Sequence, residues 1–414
     1  MLRRISRWLN TAPEVVALSF ARMADALGNS LLIIVLPLYI AREPSPWLHL
    51  PTELLVGLAV SLYGFLLALG QPFAGRISDR SGKRKQLILV GLAVMALATV
   101  GLIFAHRFVA ILMLRGAQGL GVALIVPSVM ALITTATEIG DRGNAMGIYT
   151  TFRMTGFAMG PVLAGVLQVH FGFNVVFIVG GSFLALAFVL VHLTVHPPAT
   201  RPAIPASSRP TSGGGSGSAG SHDGSTSRPS GSILALMFAT VVLASSLSMI
   251  SALENEFNAR LSQTAIGFGI AFSSLTVSRL VVQIPIGRWS DRIGRKKLII
   301  GGLLTLSPLT VLFGYVASTA QLVALRLVQG VSIAAVAAPA FALAGDLARP
   351  GREGQEISWV TMGFGLGLGA GPLLAGGLAG YLGFAVPFYV TGLVSLLAAW
   401  AVWRFTTDSI PIGA

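Results

Sequence analysis

Gly75-Arg76-Ile77-Ser78-Asp79-Arg80-Ser81-Gly82-Lys83-Arg84-Lys85 is written a second time, as Gly287-Arg288-Trp289-Ser290-Asp291-Arg292-Ile293-Gly294-Arg295-Lys296-Lys297. Seven of the eleven positions are identical and two more exchange Lys with Arg. Each copy follows one long apolar stretch and precedes another. A chain that repeats apolar spans with charged loops at matching places has the organisation of a duplicated membrane transporter.

Composition agrees. The chain is 54% hydrophobic and 10% charged, with a mean hydropathy of +0.79. A soluble domain usually carries about 25% charged residues. Twelve apolar stretches occur, near 15–40, 54–77, 86–105, 108–137, 143–168, 173–195, 232–257, 264–287, 298–317, 321–346, 355–380 and 384–404. Each is long enough to cross a bilayer, which takes about 20 residues. The 49 Gly and 21 Pro suit membrane helices, whose neighbours keep the backbone satisfied. The short alternating strands of a membrane β-barrel are absent from the sequence. The expected class is an all-α membrane protein.

The net charge of +13 is distributed as a topology signal, not as a nucleic-acid surface. With the N-terminus cytoplasmic, 20 of the 28 Lys and Arg fall in inside segments, and only Arg42, Arg107 and Arg260 fall in outside loops. That bias sets both termini inside, with anionic lipid as the natural neighbour. The first apolar stretch contains Arg22 and Asp25 and lacks a cleavage site, so it reads as a retained helix. There is no cysteine, which excludes disulfide and thiolate chemistry. No P-loop pattern occurs, so neither nucleotide nor nucleic acid is an expected partner.

Residues 197–231 form a Pro/Gly/Ser-rich segment that cannot build a core. As a flexible cytoplasmic linker it would reach roughly 30–35 Å, separating six-helix halves at 1–196 and 232–414. The halves align beyond the loop. Asp79 and Asp291 are 212 residues apart, whereas Arg115-Gly116-Ala117-Gln118-Gly119 matches Arg326-Leu327-Val328-Gln329-Gly330 at 211, as Gly160-Pro161 matches Gly371-Pro372.

With these motifs the chain resembles the major facilitator superfamily over nearly its whole length outside the linker. The loop fits the superfamily pattern Gly-x-x-x-Asp-Arg-x-Gly-Arg-Lys, with Lys83 where Arg is common. The Arg-x-x-Gln-Gly of helix 4 is a second hallmark. Gly156-Phe157-Ala158-Met159-Gly160-Pro161-Val162-Leu163-Ala164-Gly165 looks like the antiporter signature of helix 5, with Ala164 in place of a Gly. Leu27-Gly28 through Pro37 is similar to a drug-exporter pattern, with Ile34 where Pro is common. The resemblance implies two pseudo-symmetric six-helix bundles and places the chain nearest the twelve-helix drug:proton antiporter branch. It also implies the plasma (inner) membrane of a prokaryote, and it links Arg115 to proton movement and substrate binding.

The polar residues inside the spans are the candidate site. Asp25 lies about 15 Å into helix 1 at 1.5 Å per residue, where ionisable groups are costly and usually functional. Arg22 is one turn away on the same face. An apolar setting favours the neutral acid, and a guanidinium favours the carboxylate. This opposition suits a proton site and equally suits a structural pair. Arg115, with Gln118 one turn away, and Arg153, level with Asp25, can each pair with Asp25. Glu254 and Glu256 stand near the outer end of helix 7 and read first as solvated carboxylates, with a cation site or outer gate as the alternative. The helix-packing glycines and prolines Gly156, Gly160, Pro161, Gly363, Gly367, Gly371 and Pro372 offer bare backbone at a bend, either as a seal that opens or as packing alone.

The repeated loop reads as a cytoplasmic gate. Gly75, Asp79, Gly82, Asp291 and Gly294 occupy fixed places in it. Each aspartate ends a helix where a carboxylate can face a neighbouring helix N-terminus. Arg80, Arg84, Arg292 and Lys296 can pair with Glu138, Asp141, Asp346 and Glu353. The expected function is secondary active transport by alternating access, with export of a small organic molecule driven by protons. The alternatives are an importer or facilitator of an anionic metabolite, suggested by five span arginines, and a membrane sensor without flux. No enzyme activity, cofactor or metal is expected; the proton gradient is the energy source.

Overall fold

Residues 11–42, 49–137, 141–195, 230–348 and 353–408 are described by the computed structural model. Twelve helices among them are long and apolar enough to span a membrane. They are α1 Pro13–Arg42, α2 Thr52–Ser81, α3 Arg84–Gly101, α4 Phe108–Ala136, α5 Arg142–Phe171 and α6 Phe173–Thr194, then α7 Gly231–Arg260, α8 Ala265–Ile293, α9 Arg295–Leu312, α10 Thr319–Asp346, α11 Glu353–Leu382 and α12 Val386–Phe405. A spanning backbone must satisfy its own hydrogen bonds, and helices do so within one segment. Their outer faces remain apolar, as at Leu97, Phe104, Met113, Leu193 and Trp403. The expected linker lies almost wholly outside the described residues.

The helices pack in two bundles with one plan. In the first, α1 packs on α5 and α6, and α4 on α2 and α3; in the second, α7 packs on α11 and α12, and α10 on α8 and α9. The bundles meet through two matching pairs, α2 with α11 and α5 with α8.

The two offsets seen in the sequence have a structural cause. α2 passes to α3 through Gly82 and Lys83, whereas α8 passes to α9 through Gly294 alone. Landmarks on α2 and α8 before the connection are therefore 212 apart and those after it 211, whereas α1 and α7, which end at Arg42 and Arg260, are offset by 218. Both glycines hold positive φ, 62° and 106°, which an L side chain adopts only with strain. Arg84 thus corresponds to Arg295, and Lys85 to Lys296.

The glycines singled out in the sequence pack within each half. Gly156 and Gly160 lie on the α1 backbone near Met23 and Leu27; Gly363, Gly367 and Gly371 lie on α7 near Met237, Val241 and Ser245. The seam between halves uses other glycines. Gly57 abuts the carbonyl of Pro372, and its symmetry partner Gly269 abuts that of Pro161. Gly64 meets Gly369, and Gly165 meets Ala265. Pro161 and Pro372 thus contribute carbonyls to the contact between halves.

The apolar cores show which side is shut. On the side away from the motif loops, one cluster joins both halves, including Leu36, Val56, Leu253, Phe257, Phe268 and Ala375. Asn255 Nδ2 donates to the Pro37 carbonyl across the halves there, at 3.0 Å. Toward the motif side each half keeps its own cluster, one around Leu92, Val129 and Leu184, the other around Leu303, Val336 and Val402. The far side is closed, and among the described residues no shared apolar core spans the motif side.

A methyl group at Gly57 would overlap the Pro372 carbonyl. Gly57→Val is therefore expected to open the far side. The cysteine-free background allows Leu38→Cys to report on it, and labelling by an impermeant maleimide should accelerate about tenfold. An unchanged rate in folded Gly57→Val protein, or in the milder Gly57→Ala, would count against the seal.

Candidate functional site

Halfway along α1, Arg22 Nη1 donates to Asp25 Oδ2 and forms a buried ion pair. Their spacing of three puts both on one face. Asp25 Oδ1 and Arg22 Nε have no protein partner. Arg22 and Asp25 line a cavity of about 10 Å³ whose other walls, among them Leu92, Ile125, Val129 and Val191, are apolar. The pair thus faces the interior of the first bundle, toward α3, α4 and α6. Arg153 of α5 is close enough to act on Asp25 electrostatically.

Arg115 does not take Asp25 as its partner. Its Nη1 donates to Gln118 Oε1 at 2.8 Å, and Nε to the Ala59 carbonyl at 3.3 Å. Gln118 Nε2 donates to Thr99 Oγ1 at 2.9 Å. The guanidinium stands 4.4 Å from the centre of the Tyr63 ring, and Tyr63 Oη accepts from Asn29 Nδ2 at 2.8 Å. This polar ladder ties α1, α2, α3 and α4. The second half repeats it without an acid: Arg326 Nη1 donates to Gln329 Oε1 at 2.9 Å, Gln329 Nε2 to Ser246 Oγ at 3.0 Å, and the guanidinium stands 4.5 Å from the Phe272 ring centre. A cation over an aromatic face is stabilised by the ring quadrupole, more so when desolvated. Tyr63 and Phe272 carry no sequence signal, because any aromatic in an apolar span reads as core.

Glu254 corrects an expectation. It is 0% exposed, and neither carboxyl oxygen makes a well-formed hydrogen bond. Asn258, one turn on, is a polar neighbour, while among the described residues no cation pairs with Glu254. α7 tightens to a 3-10 turn over Met249–Leu253 just before it, and Glu254 begins the resumed α-helix inside the far-side core, between buried Leu253 and Phe257. Glu256 does behave as a solvated carboxylate, paired with Arg260 Nε at 2.6 Å. Arg153 and Arg279 face the seam from α5 and α8, both partly buried.

The motif loops bind their own halves. Arg84 Nη1 donates to the Ala131 carbonyl at 3.1 Å and Lys85 Nζ to the His192 carbonyl at 2.7 Å. Arg295 pairs with Asp291 at 3.2 Å and with Asp346, and Lys296 Nζ donates to the Thr406 carbonyl at 2.6 Å. Lys85 and Lys296 thereby hold carbonyls at helix C-termini, where carbonyls lack partners. Asp346 is thus a partner as expected, but its cation is Arg295 rather than Arg292 or Lys296, and Arg84 takes a carbonyl rather than an acid. Arg80, Arg292 and Asp141 are exposed. Gly75 faces Pro127 of α4. Glu138 and the side chains of Asp79 and Glu353 lie outside the described residues.

Residues 18–221 and 231–412 match the family model of the Major Facilitator Superfamily. The multidrug resistance protein MdtG of Proteus mirabilis is 26% identical over 392 residues, covering 93% of this chain and 94% of that protein. The multi-drug resistance efflux pump PmrA of Streptococcus pneumoniae is 26% identical over 344 residues, covering 81% and 82%. A bacterial homologue of the human lysosomal transporter Spinster, solved in an inward-facing and occupied conformation, superposes with a TM-score of 0.75 at 17% identity, over 96% of this chain and 98% of that one. The nucleoside transporter NupG superposes at 0.72 with 12% identity, over 95% and 100%. At these identities the solved structures speak to fold alone.

Arg115→Lys keeps the charge but loses the planar fork and the stack on Tyr63. Transport per folded molecule is expected to fall about tenfold or more, with the size-exclusion profile intact. Tyr63→Phe retains the ring and should stay within about twofold. Full activity in Arg115→Lys would reduce the ladder to generic charge.

Proposed function

The chain belongs to the major facilitator superfamily, and we propose that it exports a small organic molecule by alternating access, driven by protons entering the cell. One observation carries this: a single core seals the far side while the motif side keeps two separate cores. That is one of the two access states such a cycle requires. With the Lys- and Arg-rich motif side in the cytoplasm, the state is inward-facing. The relatives named as multidrug efflux proteins support the outward direction.

Two buried acids have separate duties in this cycle. An ionised carboxyl without a counter-charge is costly in an apolar core, so far-side closure requires Glu254 to carry a proton. When that side opens, water reaches Glu254 and relieves the requirement. Asp25 has a counter-charge in Arg22 and a small cavity beside it, so it can gain and lose a proton without leaving the bundle. Proton entry through Asp25 draws on the membrane potential, about 2.3 kcal/mol per charge per 100 mV.

Proteoliposomes with an imposed pH gradient test this proposal. Asp25→Asn is expected to abolish accumulation of substrate against its gradient while leaving substrate exchange within about threefold. Retained accumulation would remove Asp25 from coupling. Stimulation by a parallel rather than an opposing proton gradient would identify an importer, and binding without flux a sensor.

A further inference from the structure

Helices α5 and α8 touch at the far end of the seam, where Gly165 meets Ala265 and Pro161 meets Gly269. Arg153 lies eight residues from Pro161 toward the motif side, about 12 Å along the helix, and Arg279 lies ten beyond Gly269, about 15 Å. The two arginines therefore sit at similar depth on facing helices of opposite halves. They are close enough to repel each other. Among the described residues neither makes an ion pair; Asp25 is held by Arg22. Arg279 Nε and, one turn on, Gln283 Oε1 have no hydrogen-bond partner. The Arg153 guanidinium stands 5.9 Å from the Phe157 ring centre, and Phe152 stacks edge-on against Phe20 of α1 at 4.9 Å. Three cations and one carboxylate, Arg22, Arg153, Arg279 and Asp25, thus share this mid-membrane region, flanked by aromatic rings.

Two unpaired guanidinium groups in an apolar span are expensive. Each presents a planar fork that matches a carboxylate, sulfonate or phosphonate. Like charges facing across the seam also oppose the approach of α5 and α8 on the motif side. An anion between them replaces repulsion with two attractions.

We propose that Arg153 and Arg279 form a binding site for the anionic head of an amphiphilic organic acid, and that filling it lets the motif side close. The site rests on the alternating-access reading given above. It makes the substrate class an organic anion with an aromatic or apolar body, and it makes an empty carrier poor at cycling, which protects the proton gradient.

Carboxyfluorescein and rhodamine 6G share a ring system and differ in charge, so they serve as paired probes. In phosphatidylcholine nanodiscs the anionic dye should bind, and Arg153→Gln and Arg279→Gln should each weaken it about tenfold or more while leaving rhodamine 6G within about twofold. Arg279→Lys should recover part of the loss. Spin labels on introduced cysteines at the motif ends of α5 and α8 should move closer on adding carboxyfluorescein, and not in the Gln variants. No binding of the anionic dye by the unaltered protein, unchanged affinity in both Gln variants, or equal loss for both dyes would overturn the proposal. Adding phosphatidylglycerol identifies the source of the acid: competition points to a lipid headgroup, its absence to a soluble substrate. Proteoliposome flux separates this proposal from the transport reading. Rhodamine 6G flux without carboxyfluorescein binding removes the anion site and leaves the transporter. Bound carboxyfluorescein with flux of neither dye leaves the site and removes the transporter.

Discussion

A polar group in hydrocarbon has no water to turn to, and that constraint organises this protein. It forces every span to be a helix. It sends the hydroxyls of Ser19, Thr99 and Ser395 back to carbonyls one turn earlier on their own helices. It makes each buried charge find an aromatic face, an amide or a counter-ion, as Arg115, Arg326 and the Arg22–Asp25 pair do. Glu254, Glu356 and Arg279 are among the described residues whose buried polar atoms lack such a partner.

The same constraint decides how the halves can move. Tight contact between spans cannot draw on burial from water, so it depends on close packing of small residues. The seam is built of glycines against proline carbonyls and other glycines, at Gly57, Gly269, Gly64 and Gly369. Such a contact parts without exposing large apolar side chains to one another's absence. The larger apolar cluster at the far end adds the closure that the motif side lacks.

Much of this was legible in the sequence because span length, loop charge and internal repetition are one-dimensional signals. The twelve helices, the paired motif loops and the Arg22–Asp25 spacing are of that kind. What covers each helix face is not. A soluble helix declares its buried face by amphipathicity, but a span apolar all round does not. Gly363, Gly367 and Gly371 stood out by their spacing, yet a second glycine face on the same helix, with Gly365, Gly369 and Gly376, makes the contact between halves. Tyr63 could not be told from core. Glu254 stands near a helix end, a position that suggests water, yet a 3-10 turn precedes it and the far-side core encloses it.

The repeat separates architecture from chemistry. Positions shared by both halves hold the structure: Arg115 and Arg326 with their glutamines, Gly57 and Gly269, Pro161 and Pro372, Gly82 and Gly294, Arg84 and Arg295. The groups placed at the centre of transport are unshared. On α1 and α7 the offset is 218, because Gly156 and Gly160 meet Met23 and Leu27 where Gly367 and Gly371 meet Val241 and Ser245. Arg22 and Asp25 then correspond to Thr240 and Leu243, Arg153 to Phe364, and Arg279 to Leu67. A symmetric pair of gates needs only symmetric parts. Coupling to a driving ion needs groups that bind it, and a gate by itself supplies none. The charged residues that break the repeat, Arg22, Asp25 and Arg153 in the first half and Glu254 and Arg279 in the second, are the groups on which the proposed coupling rests.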